Sequence, residues 1–204
     1  MLNKLCLSIL FLCLIIACGN SNGSDAQNKK PQQDNEVLKD SLQDLPLIDQ
    51  LSLEDQMKLA KAKGKTARPI TIEELLSYIE EEDSKLKIFS FWKLDDKLSQ
   101  SQNYNLLKVQ RELGEEKMKV HAICLDEVNR ELLVNVYLRH FGFQDDAFIL
   151  QDSFPYRWPS QFVSEWQGDL PALLFVHKTT GTRLFYQQLL SFEELMAILQ
   201  SLIL

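Results

Sequence analysis

The chain has 204 residues, of which 45% are hydrophobic and 25% are charged, so we expect one globular domain with extensions. Its formal net charge is −7 at pH 7. This charge argues against nucleic-acid binding, because contact with phosphates requires a basic surface, and no long run of lysine or arginine supplies one.

Residues 1–17 have the pattern of a secretory signal peptide. Lys4 precedes an apolar stretch that is too short to span a bilayer, which takes roughly 20 apolar residues. The stretch ends in Ile15-Ile16-Ala17-Cys18, which resembles a bacterial lipobox. The resemblance implies cleavage before Cys18, a lipid on its sulfur and an acyl chain such as palmitate on its new amino group. An ordinary signal peptide that happens to contain a cysteine is the alternative.

We expect two segments between this anchor and the domain. Residues 18–36 are polar and aperiodic, which predicts a flexible tether with a reach on the order of 25 Å. Residues 37–69 are predicted to be a helical N-terminal extension. Ser52 with Asp55 resembles a capping box in this extension, and Pro46 ends an earlier helical face. The apolar residues of that earlier face are Val37, Leu38, Leu42 and Leu45. The extension can dock on the domain or on a partner.

The cysteine count limits the redox chemistry that is available. Cys6 and Cys13 lie in the signal segment, and Cys18 would carry lipid, so Cys124 is the single thiol expected in the mature chain. One thiol forms neither an intramolecular disulfide nor a dithiol couple. Because Cys124 lies in an apolar run, we predict a buried, inert thiol.

Residues 70–204 have the pattern of an α/β domain. Thr71 with Glu74 predicts a capped helix start. Apolar runs predict strands at 86–92, 118–125, 147–150, 172–177 and 182–186. Helical spacing predicts further helices at 100–113, 127–141 and 192–202, the second of which would bury Leu132, Leu133, Val136, Tyr137 and Phe141. This order predicts a mixed central sheet with helices on both faces.

Four segments in this domain resemble, in order, the TlpA/ResA-type thioredoxin-like proteins, especially their lipid-anchored envelope members. They are Phe91-Trp92, the segment from Cys124 to Glu127, the segment Trp166-Gln167-Gly168-Asp169-Leu170-Pro171-Ala172, and the strand and turn 175–181. The resemblance implies a thioredoxin-like fold in which Pro171 is cis and faces the active site.

The sequence departs from that family at the redox site. Aligned from Trp92, the two cysteines of the family's Cys-x-x-Cys pair fall on Asp96 and Ser99, neither of which supplies a thiolate. One interpretation makes Asp95 or Asp96 a helix N-cap and nothing more. The other makes this region a recognition surface for an extended peptide, with Trp92, Asp95, Asp96, Trp166 and Pro171 as candidate residues.

The function predicted from these features is a redox-inactive lipoprotein of the bacterial cell envelope that binds a protein or a peptide, with its domain outside the cytoplasm. A TlpA-type thiol-disulfide oxidoreductase and a purely structural envelope lipoprotein are the alternatives. We assign no catalytic residue and expect no cofactor. We expect no metal either, because His121, His140 and His177 lack a metal-binding spacing. Most of the aromatic segment before Pro171 is predicted to pack in the core, namely Phe154, Tyr156, Trp158, Phe162 and Trp166.

Overall fold

A computed structural model describes residues 50–151 and 158–203. The predicted signal peptide, the Cys18 anchor, the tether and residues 37–49 of the extension therefore lie outside the described residues, as do Phe154 and Tyr156. The helices are α1 Leu53–Lys61, α2 Ile72–Glu81, α3 Lys97–Leu113, α4 Glu131–Phe141, α5 Pro159–Phe162 and α6 Phe192–Ile203, with a 3-10 turn at Val128–Arg130. The strands are β1 Arg68–Ile70, β2 Leu86–Trp92, β3 Lys119–Cys124, β4 Ala147–Leu150, β5 Ala172–His177 and β6 Thr182–Tyr186.

The six strands form one mixed sheet in the order β1-β4-β3-β2-β5-β6. The first four are parallel, whereas β5 runs antiparallel to β2 and β6 antiparallel to β5. This arrangement confirms the predicted α/β fold class. Strand β1 was not among the predicted elements. It joins the sheet at one edge by parallel pairing with β4, where Ile70 lies opposite Leu150.

Local sequence signals explain where several elements begin and end. The Ser52 hydroxyl accepts a hydrogen bond from the backbone of Asp55 at the start of α1. Thr71 and Glu74 form the predicted reciprocal capping box of α2. Gly181 has a φ of 68° in the β5–β6 turn, a left-handed conformation that favours glycine.

Strand β2 separates two hydrophobic clusters because successive side chains point to opposite faces of a sheet. Ile88 and Trp92 face a cluster that includes residues of α3, α4 and α6. Phe89 and Phe91 face a second cluster, which includes residues of α2 together with Trp158 and Trp166. Helical cover on both faces therefore buries all seven residues of β2.

The predicted inner face of α4 was wrong at two positions. Leu132 and Leu133 are 63% and 37% exposed. The buried apolar residues are instead Val134, Val136, Tyr137, Leu138 and Phe141. The chain follows a 3-10 turn at Val128–Arg130, so the α-helix starts at Glu131 rather than Glu127 and presents its first leucines to solvent.

Candidate recognition site at the entrance of helix α3

Asp96 and Ser99, which were predicted from the sequence to occupy the redox positions, are joined in a helix cap. Asp96 is the N-cap of α3, and its Oδ1 accepts a hydrogen bond from the backbone N–H of Leu98 at 3.1 Å. The Ser99 hydroxyl donates to Asp96 Oδ2 at 2.5 Å. A carboxylate is stabilised at the positive end of a helix dipole, and Ser99 is 0% exposed behind it. Of the two candidate N-caps, Asp95 and Asp96, it is therefore Asp96 that caps the helix. The buried Ser99 offers no surface to a partner.

An ion-pair network, here called the clasp, holds the β2–α3 loop to the end of β3. It consists of Asp95, Arg130 and Asp126. The Arg130 guanidinium donates to Asp95 Oδ2 at 2.7 Å and to Asp126 Oδ1 at 2.6 Å. Asp126 Oδ2 in turn accepts the backbone N–H of Leu94 at 2.7 Å. The loop is thus attached through both a side chain and the backbone.

The charges of the clasp support one another. Hydrogen bonds from Arg130 hold the pKa of the Asp95 carboxyl below its usual range, and the same bonds raise the pKa of Arg130. No role was predicted for Arg130 from the sequence. The i, i+4 spacing of Asp126 and Arg130 was the available signal.

Cys124 lies beneath the clasp at the end of β3. Its side chain is 0% exposed, and its Sγ donates to Asp126 Oδ2 at 3.3 Å. Burial and the neighbouring Asp126 carboxylate raise the pKa of this thiol well above its ordinary value. The predicted burial is confirmed, and the thiolate that disulfide exchange requires is disfavoured here.

Three of the predicted recognition residues have buried side chains, which corrects that part of the prediction. Trp92 is 0% exposed and stacks on Tyr137 with ring centroids 4.0 Å apart. Trp166 is 1% exposed and lies 4.7 Å from Phe91 between ring centroids. Pro171 is also buried, and the Leu170-Pro171 peptide is cis, as the resemblance implied. These residues support the site from within and do not form its surface.

A groove of about 790 Å³ opens beside the β2–α3 loop. We call it the carboxyl-edge groove, because it lies at the carboxyl ends of β2, β3 and β4, where open parallel sheets usually bind ligands. The residues that line it are Lys93, Leu125, Asp126, Glu127, Val128, Asn129, Leu150, Gln151, Trp158 and Gly168. None of the five predicted recognition residues is among them. The clue in the sequence was the position of these residues just after buried strands.

The lining of the groove combines apolar and polar groups. Leu125 and Val128 are partly exposed, while Lys93 and Glu127 are exposed at the rim. Asn129 donates from its side-chain amide to Glu127 Oε2 at 2.9 Å. An apolar floor with a mixed rim suits a ligand that has apolar side chains and a polar backbone.

The histidines lie apart from this groove. His177 is 4% exposed, and its Nδ1 accepts a hydrogen bond from the backbone N–H of Thr180 in the β5–β6 turn. Within residues 50–151 and 158–203, no group of three or more His, Cys, Asp or Glu side chains is placed to hold a metal ion. The same part of the chain contains no helix long and apolar enough to cross a membrane.

Comparison with known proteins identifies the fold. No family model and no curated protein matches the sequence. Among solved structures, a thioredoxin-related protein from Neisseria meningitidis serogroup B is 11% identical, with a TM-score of 0.50 over 60% of this chain and 87% of its own. A thioredoxin-family thiol:disulfide interchange protein from Chlorobium tepidum TLS is 14% identical, with a TM-score of 0.50 over 70% of this chain and 99% of its own. The fold is therefore thioredoxin-like.

Proposed function

We propose that this chain is a redox-inactive, thioredoxin-like lipoprotein of the bacterial cell envelope that binds a protein or an extended peptide. The observation that carries the proposal is the entrance of α3, where Asp96 caps the helix and hydrogen-bonds the buried Ser99. Disulfide exchange proceeds by attack of a thiolate, which neither side chain provides. Cys124 is buried, and its raised pKa disfavours the thiolate.

The carboxyl-edge groove supports the binding part of the proposal. It remains open next to the capped helix, and Leu125, Val128 and Leu150 give it apolar contact surface. The clasp holds one wall in place before any ligand arrives, because the Leu94 backbone is bonded to Asp126. A preformed wall lowers the ordering cost of binding.

The envelope location rests on the sequence Ile15-Ile16-Ala17-Cys18. Replacing Cys18 by Ser should release the protein from membranes or leave an unprocessed precursor. Fractionation of cells and the intact mass of the mature protein test this. Cleavage at another site, or a mature N-terminus without lipid, would contradict the anchor.

Insulin reduction and disulfide-exchange assays test the redox part. We expect no turnover above background in the wild-type protein or in Cys124→Ser. Turnover that disappears in Cys124→Ser would instead support the oxidoreductase alternative.

Peptide binding tests the recognition part. Purified protein would be screened against a library of unstructured peptides, and the best peptide titrated by fluorescence anisotropy. Lys93→Glu changes the groove rim and should alter affinity, whereas Lys117→Glu makes the same charge change before β3 and should not. If no peptide binds, or if both variants behave alike, the structural-lipoprotein alternative is the better one.

A further inference from the structure

Helices α1 and α4 expose an apolar surface, here called the α1/α4 patch. It consists of Leu53, Met57, Leu132 and Leu133, whose exposed fractions are 73%, 51%, 63% and 37%. These four are the large hydrophobic side chains that are exposed within the described part of the chain. Exposed apolar groups that lie together mark a surface that another segment or molecule covers.

The patch is built on a fixed support. Arg139 of α4 donates from Nη1 to the backbone oxygens of Leu59 and Ala60, both at 3.0 Å, and thereby holds the end of α1. Gln56 and Leu133 line one small cavity, which places Leu133 of α4 next to α1. Helix α1 nevertheless has no buried residue of its own. Its apolar residues Leu53 and Met57 face outward, four positions apart on one side of the helix.

We propose that residues 37–45 form a short helix that packs antiparallel on α1 and covers the α1/α4 patch. We call this segment the arm. Its apolar residues Leu38, Leu42 and Leu45 have the i, i+4, i+7 spacing of a single helical face. The inference is independent of peptide binding in the carboxyl-edge groove.

Chain length favours this occupant over a separate molecule. Only residues 46–52 lie between the arm and α1, and such a segment spans at most about 25 Å when fully extended. The arm is therefore held close to the patch at a high local concentration. Pro46 ends the helical pattern, and connections of about 2–8 residues commonly join neighbouring antiparallel helices.

The connection favours the antiparallel orientation. The arm then ends beside the first turn of α1, which is where residues 46–52 lead. Parallel packing would require the same seven residues to run back along the length of α1.

The arm would give the tether a defined point of attachment. The cavity that Gln56 and Leu133 line also contacts Asp95 and Arg130 of the clasp. A docked arm therefore joins the domain on the side that carries the β2–α3 loop.

Cysteine labelling in membranes from cells that express the full chain tests the arm. Met57→Cys reports on the patch, and Glu73→Cys, an exposed position on α2, is the matched control. We expect slow maleimide labelling at Met57→Cys. Adding Leu38→Asp and Leu42→Asp should accelerate it about tenfold, which corresponds to about 1.4 kcal/mol of docking free energy. Labelling at Glu73→Cys should not change.

A second variant separates helix formation from apolar contact. Ser41→Pro leaves every apolar side chain in place but breaks a helix at its centre, so it should also accelerate labelling at Met57→Cys. The parent chain without an added cysteine measures background labelling.

Three outcomes would overturn the proposal. Labelling at Met57→Cys that is as fast as at Glu73→Cys in the unaltered arm shows that the patch is uncovered. Protection that detergent removes, and that the arm variants do not affect, shows that lipid covers the patch. Protection that falls on dilution of the protein shows that a second copy covers it.

Discussion

Polar groups at the two ends of the parallel strands have different kinds of partner. At the carboxyl end, the clasp pairs ionised groups with one another and leaves a groove open beside them. At the amino end, Lys87 is 1% exposed, and its ammonium donates to the backbone oxygens of Ile79 and Glu82 at 2.5 and 2.8 Å. The amino end is thus closed by bonds to backbone oxygens at the end of α2.

A buried histidine at the amino end shows the contrast best. The Tyr78 hydroxyl donates to Asp146 Oδ2 at 2.8 Å, so its oxygen is left to accept from His121 Nδ1 at 3.3 Å. This network assigns the proton of the neutral ring to Nδ1. The other ring nitrogen, Nε2, is buried without a hydrogen-bond partner. The clasp therefore pairs opposite charges at the carboxyl end, whereas burial at the amino end favours the neutral form of His121.

The largest expected effect comes from breaking the clasp. Asp126→Ala removes the acceptor of the Leu94 N–H and one partner of Arg130, so it should lower the free energy of unfolding by about 3 kcal/mol. Urea unfolding measures this change. Glu127→Ala, an exposed neighbour, should stay within about 0.5 kcal/mol of wild type. A loss below about 1 kcal/mol in Asp126→Ala would show that the clasp does not hold the loop.

The second-largest expected effect is a loss of stability at low pH, caused by His121 at the amino end of the strands. Burial lowers the pKa of His121, an effect that the carboxylates of Glu82, Asp145 and Asp146 oppose and that Lys87 reinforces. The unfolded chain therefore takes up the proton first. Stability is complete above the unfolded pKa of about 6.5 and is lost as the pH falls below it, by up to about 1.4 kcal/mol per pH unit.

Urea unfolding between pH 7.5 and 5 measures this slope. His121→Phe keeps an aromatic ring beside Phe89, on which the imidazole stacks at a centroid distance of 5.0 Å, and removes the titrating group. The slope should flatten in this variant. The same slope in wild type and His121→Phe would assign the acid sensitivity to another group.

The helix cap should have a smaller effect. Asp96→Ala removes the acceptor of the Leu98 N–H and of the Ser99 hydroxyl, so it should cost about 0.5–2 kcal/mol. Asp96→Asn keeps an oxygen that can cap the helix and should recover part of the loss. If Asp96→Ala has no effect on the unfolding free energy, the cap is not a stabilising element.

Asp95→Ala should have the smallest effect, although its side chain makes two bonds to Arg130. The Asp95 side chain is 80% exposed, and exposed ion pairs contribute little to stability because water screens them. A double-mutant cycle of Asp95→Ala and Arg130→Ala isolates the pair. A coupling energy as large as that of the Asp126–Arg130 pair would show that the outer half of the clasp matters as much as its buried half.

Much of the fold could be predicted because its signals are local. Strands β2, β4, β5 and β6 match their predicted bounds, since each is a run of residues suited to a strand between turn residues. The capping box at Thr71 and Glu74 also depends only on residues within one helical turn. Strand β1 was missed because Arg68-Pro69-Ile70 is short, buries one residue and exists through its pairing with β4.

The site was harder to predict than the fold. Trp92 directly precedes the β2–α3 loop, and Trp166 lies five residues before Pro171, so both were predicted to be near the site. Both rings are nevertheless buried against other aromatic groups. Arg130 reaches Asp95 across two loops that are far apart in the chain. The exposure of a side chain depends on which distant element packs against it, and a single sequence does not contain that information in its local pattern.

The sequence by itself determined the chemistry that is available at the entrance of α3. Neither Asp96 nor Ser99 can supply a thiolate, and Asp96 at a helix start is a local capping signal. Only the tertiary structure decided what surrounds that entrance. The clasp and the carboxyl-edge groove form because parallel pairing brings the ends of β2, β3 and β4 to one edge of the sheet, where loops distant in sequence become neighbours.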